Sequence, residues 1–68
     1  MTALGNNIRQ KREDAGISQE AAARQIGVSL QTWGRWERGE TDVPSSRIPE
    51  IADTLGTTPA ELWAEIPA

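Results

Sequence analysis

A chain of 68 residues with no cysteine and no histidine makes one small domain close to the lower size limit for folding alone, and it excludes disulfide staples and the usual structural zinc sites. The formal charge is −3 but unevenly spread: residues 1–39 carry six bases and four acids, net +2, while residues 40–68 carry one base and six acids, net −5. No run is long or apolar enough for a signal peptide or a membrane helix, so a soluble cytoplasmic protein with no membrane partner is expected.

Every apolar series has helical spacing, and no β-branched or aromatic alternation is present, which predicts an all-α fold. Leu4, Ile8 and Ala15 at i, i+4 and i+11 predict a first helix from about residue 3 to Ala15, stopped by Gly16. Ser18 is a good N-cap for a second helix, with Glu20 favourably placed in its first turn. That helix presents Ala22, Ala23 and Ile26, and its three consecutive alanines favour helix and allow close crossing. Gly27 ends it, Val28 follows, and Ser29 caps a third helix running to about Arg38, where Gly39 terminates it. Glu40 to Pro44 reads as a polar loop. Ser45 or Ser46 then caps a fourth helix holding Ile48, Ile51, Ala52 and Leu55, closed by Gly56, with Pro49 tolerable only in the first turn. Thr58 as N-cap, Pro59 at the first helical position and Glu61 as capping-box partner predict a fifth helix through Leu62, Trp63 and Ile66.

The second and third helices, separated only by Gly27-Val28-Ser29, have the sequence form of a helix-turn-helix over about residues 18–38. On a wheel of about 100° per residue, Ser29, Trp36 and Glu37 fall within roughly 60° of Trp33, with Leu30 at the margin. Gln31, Arg35 and Arg38 point the other way. The third helix therefore buries two indoles on one side and offers long hydrogen-bonding side chains on the other. Gly34, inside this helix, costs roughly 1 kcal/mol relative to alanine, so it marks a close backbone approach to a ligand, a close approach to a neighbouring helix, or a tolerated substitution.

The segment IRQKREDAGISQEAAARQIGVSLQTWGRWERGE, followed by IPEIADTLGTTPAELW, resembles the Cro/repressor (XRE) family of bacterial and phage helix-turn-helix regulators over nearly the whole chain. The resemblance implies a compact five-helix, lambda-repressor-like bundle, with residues 1–68 forming a single DNA-binding domain. It implies that the third helix lies in the major groove of double-stranded DNA and the second crosses above the backbone. Gln31 and Arg35 match base-reading positions, and their chemistry suits bidentate pairing with adenine and guanine. Leu30 matches a third such position, where an apolar side chain would pack on a thymine methyl or turn inward. Ser18, Gln19, Ser29 and Thr32 match phosphate contacts, with Arg38 and the amides near Gly39 as further candidates. Arg12 and Glu37 match a pair that ties the first helix to the third. Trp33 and Trp36 occupy core positions. Arg9, Lys11 and Arg24 add diffuse positive potential.

One stretch departs from the family. The loop after the third helix is often basic, yet here it reads GETDVP, which predicts weak binding by one subunit, a modest salt dependence, and a homodimer on a palindromic operator. Trp63 and Ile66 of the fifth helix are the candidate subunit contact. The chain ends soon after that helix, which favours a Cro-like or minimal repressor, or a bare DNA-binding module, in a bacterial or phage-infected cell, a phage switch among them. The alternative is a protein-interaction module on the same fold, such as an antitoxin or anti-repressor, with the acidic half binding a basic protein. An enzyme is not expected: without histidine, cysteine or tyrosine the acid–base and nucleophilic options are narrow, and no phosphate-binding loop, metal or cofactor site is readable.

Overall fold

A computed structural model describes residues 3–64. Five helices follow in order: α1 (Ala3–Asp14), α2 (Gln19–Ile26), α3 (Leu30–Arg38), α4 (Ile48–Leu55) and α5 (Pro59–Trp63), with a single 3-10 turn, Ser45–Arg47, leading into α4. Local chemistry sets most of the boundaries. Ser18 accepts a hydrogen bond from the Ala21 amide at 3.0 Å, Ser29 from the Thr32 amide at 3.1 Å, and Thr58 from the Glu61 amide at 3.3 Å. Each hydroxyl satisfies a donor that the first turn of its helix leaves without an intrahelical acceptor. At Gly27 (φ 83°) and Gly39 (φ 72°) the chain turns left-handed, and each amide reaches back to its own helix, Gly27 to the carbonyls of Ala23 and Arg24, Gly39 to those of Arg35 and Trp36. Glycine adopts that conformation without a Cβ penalty.

Three expectations are corrected. First, α1 ends within a residue of the expected place, the Ala15 amide still donating to the Lys11 carbonyl at 3.0 Å, but Ala15 is exposed and does not extend the apolar face of Leu4 and Ile8, whereas Ile17 packs against the core. Second, neither Ser45 nor Ser46 caps α4. They wind into the 3-10 turn, α4 starts at Ile48 with Pro49 in its first turn, and no side chain caps it. Third, the capping box of α5 forms on one side only. The Glu61 carboxylate accepts from the Thr57 hydroxyl and pairs with Lys11 at 3.6 Å instead of turning back to Thr58. The helix itself ends at Trp63; Ile66 lies outside the described residues.

The core draws on all five helices. Ile8 of α1, Ala22 of α2, Trp33 of α3, Ile51 of α4 and Leu62 of α5 are each 0% exposed. Burying a side chain of the larger kind contributes about 1.5–3 kcal/mol, which in a domain this size makes each a large share of the total. Trp36 packs beside Trp33, their ring centroids 5.8 Å apart and tilted by 57°. α1 crosses α3 at Gly5, where an added Cβ would sit 2.6 Å from the Trp36 carbonyl oxygen and 2.8 Å from that of Glu37. α1 is also tied to the C-terminal end of α5, since the Asn7 amide donates to the carbonyls of Leu62 at 3.0 Å and Ala64 at 2.6 Å. Arg47 links the second half back to the first by donating to the Ile26 carbonyl at the end of α2, 3.0 Å away. Among the described residues no helix is long and apolar enough to cross a membrane.

Candidate nucleic-acid interface

The orientation of α3 is set from beneath by one carboxylate. Glu37 is 4% exposed and accepts from three helices at once. The Arg12 guanidinium of α1 donates at 2.6 Å (Nε) and 3.3 Å (Nη2), the Gln19 amide of α2 at 2.8 Å, and the Trp33 indole of α3 at 2.5 Å. Burial by itself pushes the Glu37 carboxyl up. The hydrogen bonds from Arg12, Gln19 and Trp33, together with the charge of Arg12, outweigh it and hold the group below the usual carboxylate value. Arg12 further donates to the Ile17 carbonyl at 2.8 Å, which fixes the turn between α1 and α2. Sequence reasoning anticipates the Arg12–Glu37 pair. It misses Gln19 and Trp33 as co-donors, although the i, i+4 spacing of Trp33 and Glu37 is a readable signal for the indole contact.

Above this junction lies the exposed face of α3. Leu30 is 48% exposed and, with Trp63 at 53%, is one of two large hydrophobic residues so exposed among the described residues. Gln31 and Arg35 are exposed on the same side of the helix, and neither makes a side-chain hydrogen bond or ion pair among the described residues. For Arg35 this is distinctive. Each of the other six cations has a carboxylate within 4.0 Å: Arg9 with Glu13, Lys11 with Glu61, Arg12 with Glu37, Arg24 with Glu20, Arg38 with Glu40, and Arg47 with Glu50. Arg35 alone, among the described residues, has no carboxylate within 4.0 Å, although its charge adds to those that lower the Glu40 pKa, and it stands on the exposed face of α3.

The flanking candidates are placed as follows. Ser18 and Ser29 are exposed at the starts of α2 and α3, each with its oxygen engaged in capping. The Ser29 hydroxyl also donates to Thr32 Oγ1 at 2.9 Å. Gln19 is half-buried, one amide hydrogen directed inward to Glu37. Arg38 is exposed at the end of α3 and its Nε is 2.7 Å from Glu40. At Gly34, the nearest side-chain atoms to an added Cβ belong to the Arg38 guanidinium, Nη1 at 3.0 Å, and no neighbouring helix comes closer. The reading of Gly34 as a helix-crossing residue is therefore set aside; that role belongs to Gly5.

Leu4, Trp36, Thr41, Asp42, Val43, Ser45 and Trp63 line an open, mainly apolar groove of about 340 Å³.

Residues 3–64 match a family model described as a helix-turn-helix domain. An HTH-type transcriptional regulator of Sinorhizobium fredii is 33% identical over 64 residues, covering 94% of this chain and 45% of that protein. A transcriptional regulator in an ATPase CF(0) region of Rhodospirillum rubrum is 40% identical over 52 residues, 76% of this chain and 48% of the relative. The chain thus spans about half the length of these relatives. Among solved structures, the restriction-modification controller protein C.AhdI of Aeromonas hydrophila superposes with a TM-score of 0.83 at 33% identity, covering 90% of this chain and 92% of the other. A hypothetical transcription factor from Neisseria superposes with a TM-score of 0.85 at 32% identity, covering 93% and 72%.

Proposed function

We propose that this chain, which belongs to the helix-turn-helix domain family and is of the Cro/repressor type, binds double-stranded DNA in a sequence-specific way and regulates transcription as a Cro-like or minimal repressor. The observation that carries the reading is the Arg35 guanidinium, without a hydrogen bond or ion pair among the described residues, beside Gln31 and Leu30 on one exposed helix face. A side chain left without an internal partner keeps its full charge and donors for an external one, and a guanidinium suits the two acceptors of guanine. Gln31 suits adenine, and Leu30 suits the methyl group of thymine. Ser18, Gln19, Ser29, Thr32 and Arg38 are the proposed phosphate contacts when such a helix lies in the major groove.

A protein-interaction module on the same fold is the weaker reading. The acidic surplus that suggests it is partly spent internally, since Glu40, Glu50 and Glu61 are each paired with a cation. Only Asp42 and Asp53 of that half stand unpaired among the described residues, too few for a strongly charged docking face. The same face of α3 offers binding groups rather than a catalytic arrangement, so the proposed activity is recognition without turnover.

Two subunits on a palindromic operator complete the proposal. Half-sites would then lie about one helical turn apart, roughly 34–36 Å. Trp63, half-exposed on the rim of the Leu4/Trp36/Val43 groove, is the proposed subunit contact. The test is selection from a random duplex library at moderate salt with wild type, Gln31→Ala and Arg35→Ala, each shown to be folded by circular dichroism. A short palindromic motif should emerge, and each variant should relax preference at particular bases. If the folded wild type enriches nothing, even at low salt, direct reading of DNA is refuted. Trp63→Gln should leave the fold intact while weakening binding to the full palindrome more than to a half-site.

A further inference from the structure

The end of α3 holds an arrangement that the proposed binding role does not by itself require. Leu30, Gly34 and Arg38 form one i, i+4, i+8 row along a flank of the helix, Leu30 and Arg38 exposed and Gly34 between them buried. Because Gly34 has no side chain, the Arg38 guanidinium folds back over it: Nη1, Cζ and Nη2 lie 3.0, 3.7 and 3.8 Å from where a Cβ would be. The chain beyond the helix is turned back by Gly39, and the Glu40 amide donates to the Arg35 carbonyl at 2.9 Å. That turn delivers the Glu40 carboxylate to Arg38 Nε at 2.7 Å. The pair is mutual in its electrostatics: its hydrogen bond and charge raise the Arg38 pKa and lower that of Glu40.

We infer that Glu40 is an internal competitor for DNA at Arg38, occupying in the free protein the guanidinium that would otherwise bind a phosphate, with Gly34 as the seat that lets Arg38 lie along the reading face. This rests on the DNA-binding reading above and sharpens it: Glu40 becomes an affinity-setting residue that acts through Arg38. A carboxylate and a phosphate offer a guanidinium the same kind of oxygen pair, so they exclude each other there. The local exchange differs from simple repulsion between Glu40 and DNA because it depends on Arg38 being present.

The experiment measures binding of a mixed-sequence duplex of about two helical turns, and of the selected operator, over a range of salt for wild type, Glu40→Gln, Arg38→Ala and the double variant. Releasing one cation for one phosphate should make the slope of log affinity against log salt steeper by about 0.9. At low salt Glu40→Gln should tighten binding by roughly three- to tenfold, a range consistent with one added phosphate contact. In the Arg38→Ala background the same substitution should change affinity by less than about twofold. Equal gains in both backgrounds, or no gain in either, overturn the inference. Independently of DNA, the Arg38 Nε–H signal in NMR should shift on Glu40→Gln and on Gly34→Ala; a signal unmoved by both overturns the inference as well. A wild type that binds no duplex while the Arg38 signal responds as expected refutes the DNA reading and leaves the Arg38–Glu40 exchange without a competitor, which also sinks it as an affinity device.

Discussion

Replacing Gly5 by alanine tests how closely α1 and α3 are joined. The added methyl would sit 2.6 and 2.8 Å from two main-chain oxygens of α3, whereas ordinary contacts for such an atom begin near 3.4 Å. Relief requires the two helices to part by about 0.6–0.8 Å at their crossing, and the atoms in the way are backbone, which cannot swing aside. Overpacking of this kind costs about 1–3 kcal/mol. Against it stands the helix-forming advantage of alanine over glycine, about 1 kcal/mol. The net expectation is a loss of up to about 2 kcal/mol, or a fall in Tm of up to roughly 16 °C for a domain of this size. Gly34→Ala is the internal control. It carries the same helical advantage, but the group it meets is the mobile end of Arg38, so it should raise Tm by several degrees. Urea and thermal unfolding followed by far-UV circular dichroism give both values, and the shared propensity term cancels in their difference. A Gly5→Ala protein as stable as Gly34→Ala would refute the close crossing.

Glu37→Gln should cost about 2–4 kcal/mol, because it leaves the Arg12 guanidinium, 12% exposed, facing a neutral amide; urea denaturation measures it. The folded-state pKa of Glu37 lies below its unfolded value, near 4.5, so its ionised form adds stability above that value and the contribution vanishes as pH falls through the lower folded value. Acid titration of stability should therefore show a loss below about pH 4.5 in the wild type that is smaller in Glu37→Gln. Arg47→Ala removes the donor to the Ile26 carbonyl and should lower stability by about 0.5–1.5 kcal/mol, with hydrogen exchange quickening at the C-terminal turn of α2. Ser29→Ala removes the cap of α3 and should cost about 1 kcal/mol in thermal unfolding.

Much of this architecture is readable from the residues, because helix punctuation is local. Ser18, Ser29, Thr58, Gly27 and Gly39 act within a turn of their own positions, so composition and spacing suffice to place them. The two faces of α3 follow from periodicity alone: Trp33 and Trp36 are buried, Gln31 and Arg35 exposed. What periodicity hides is any role played by the lack of a side chain. Gly5 contributes nothing to an apolar pattern, yet it decides how near α1 comes to α3. Gly34 attracts notice as a misplaced helix residue, but its neighbour is Arg38, four residues on in the same helix, and a wheel does not show how a long side chain bends. Long-range polar partners are equally silent. That Arg47 reaches Ile26 depends on how α4 is carried across α2, and that Gln19 turns toward Glu37 depends on the depth of a carboxylate which looks like a surface residue in sequence. The start of α4 is misread because two serines ahead of a helical pattern mimic a cap, while the 3-10 turn absorbs them both.

The Glu37 junction has a consequence for how such a chain can change over time. All its hydrogen bonds lie on the inner side of α3, and Gln31 and Arg35 form none among the described residues. Substitutions at exposed sites of that kind usually change stability by no more than about 0.5 kcal/mol. Leu30, Gln31 and Arg35 can therefore be exchanged as a set while Arg12, Gln19, Trp33 and Glu37 keep the helix in register. The domain separates holding the helix from wording its outer face, so new preferences can be drafted on one side without renegotiating the fold on the other.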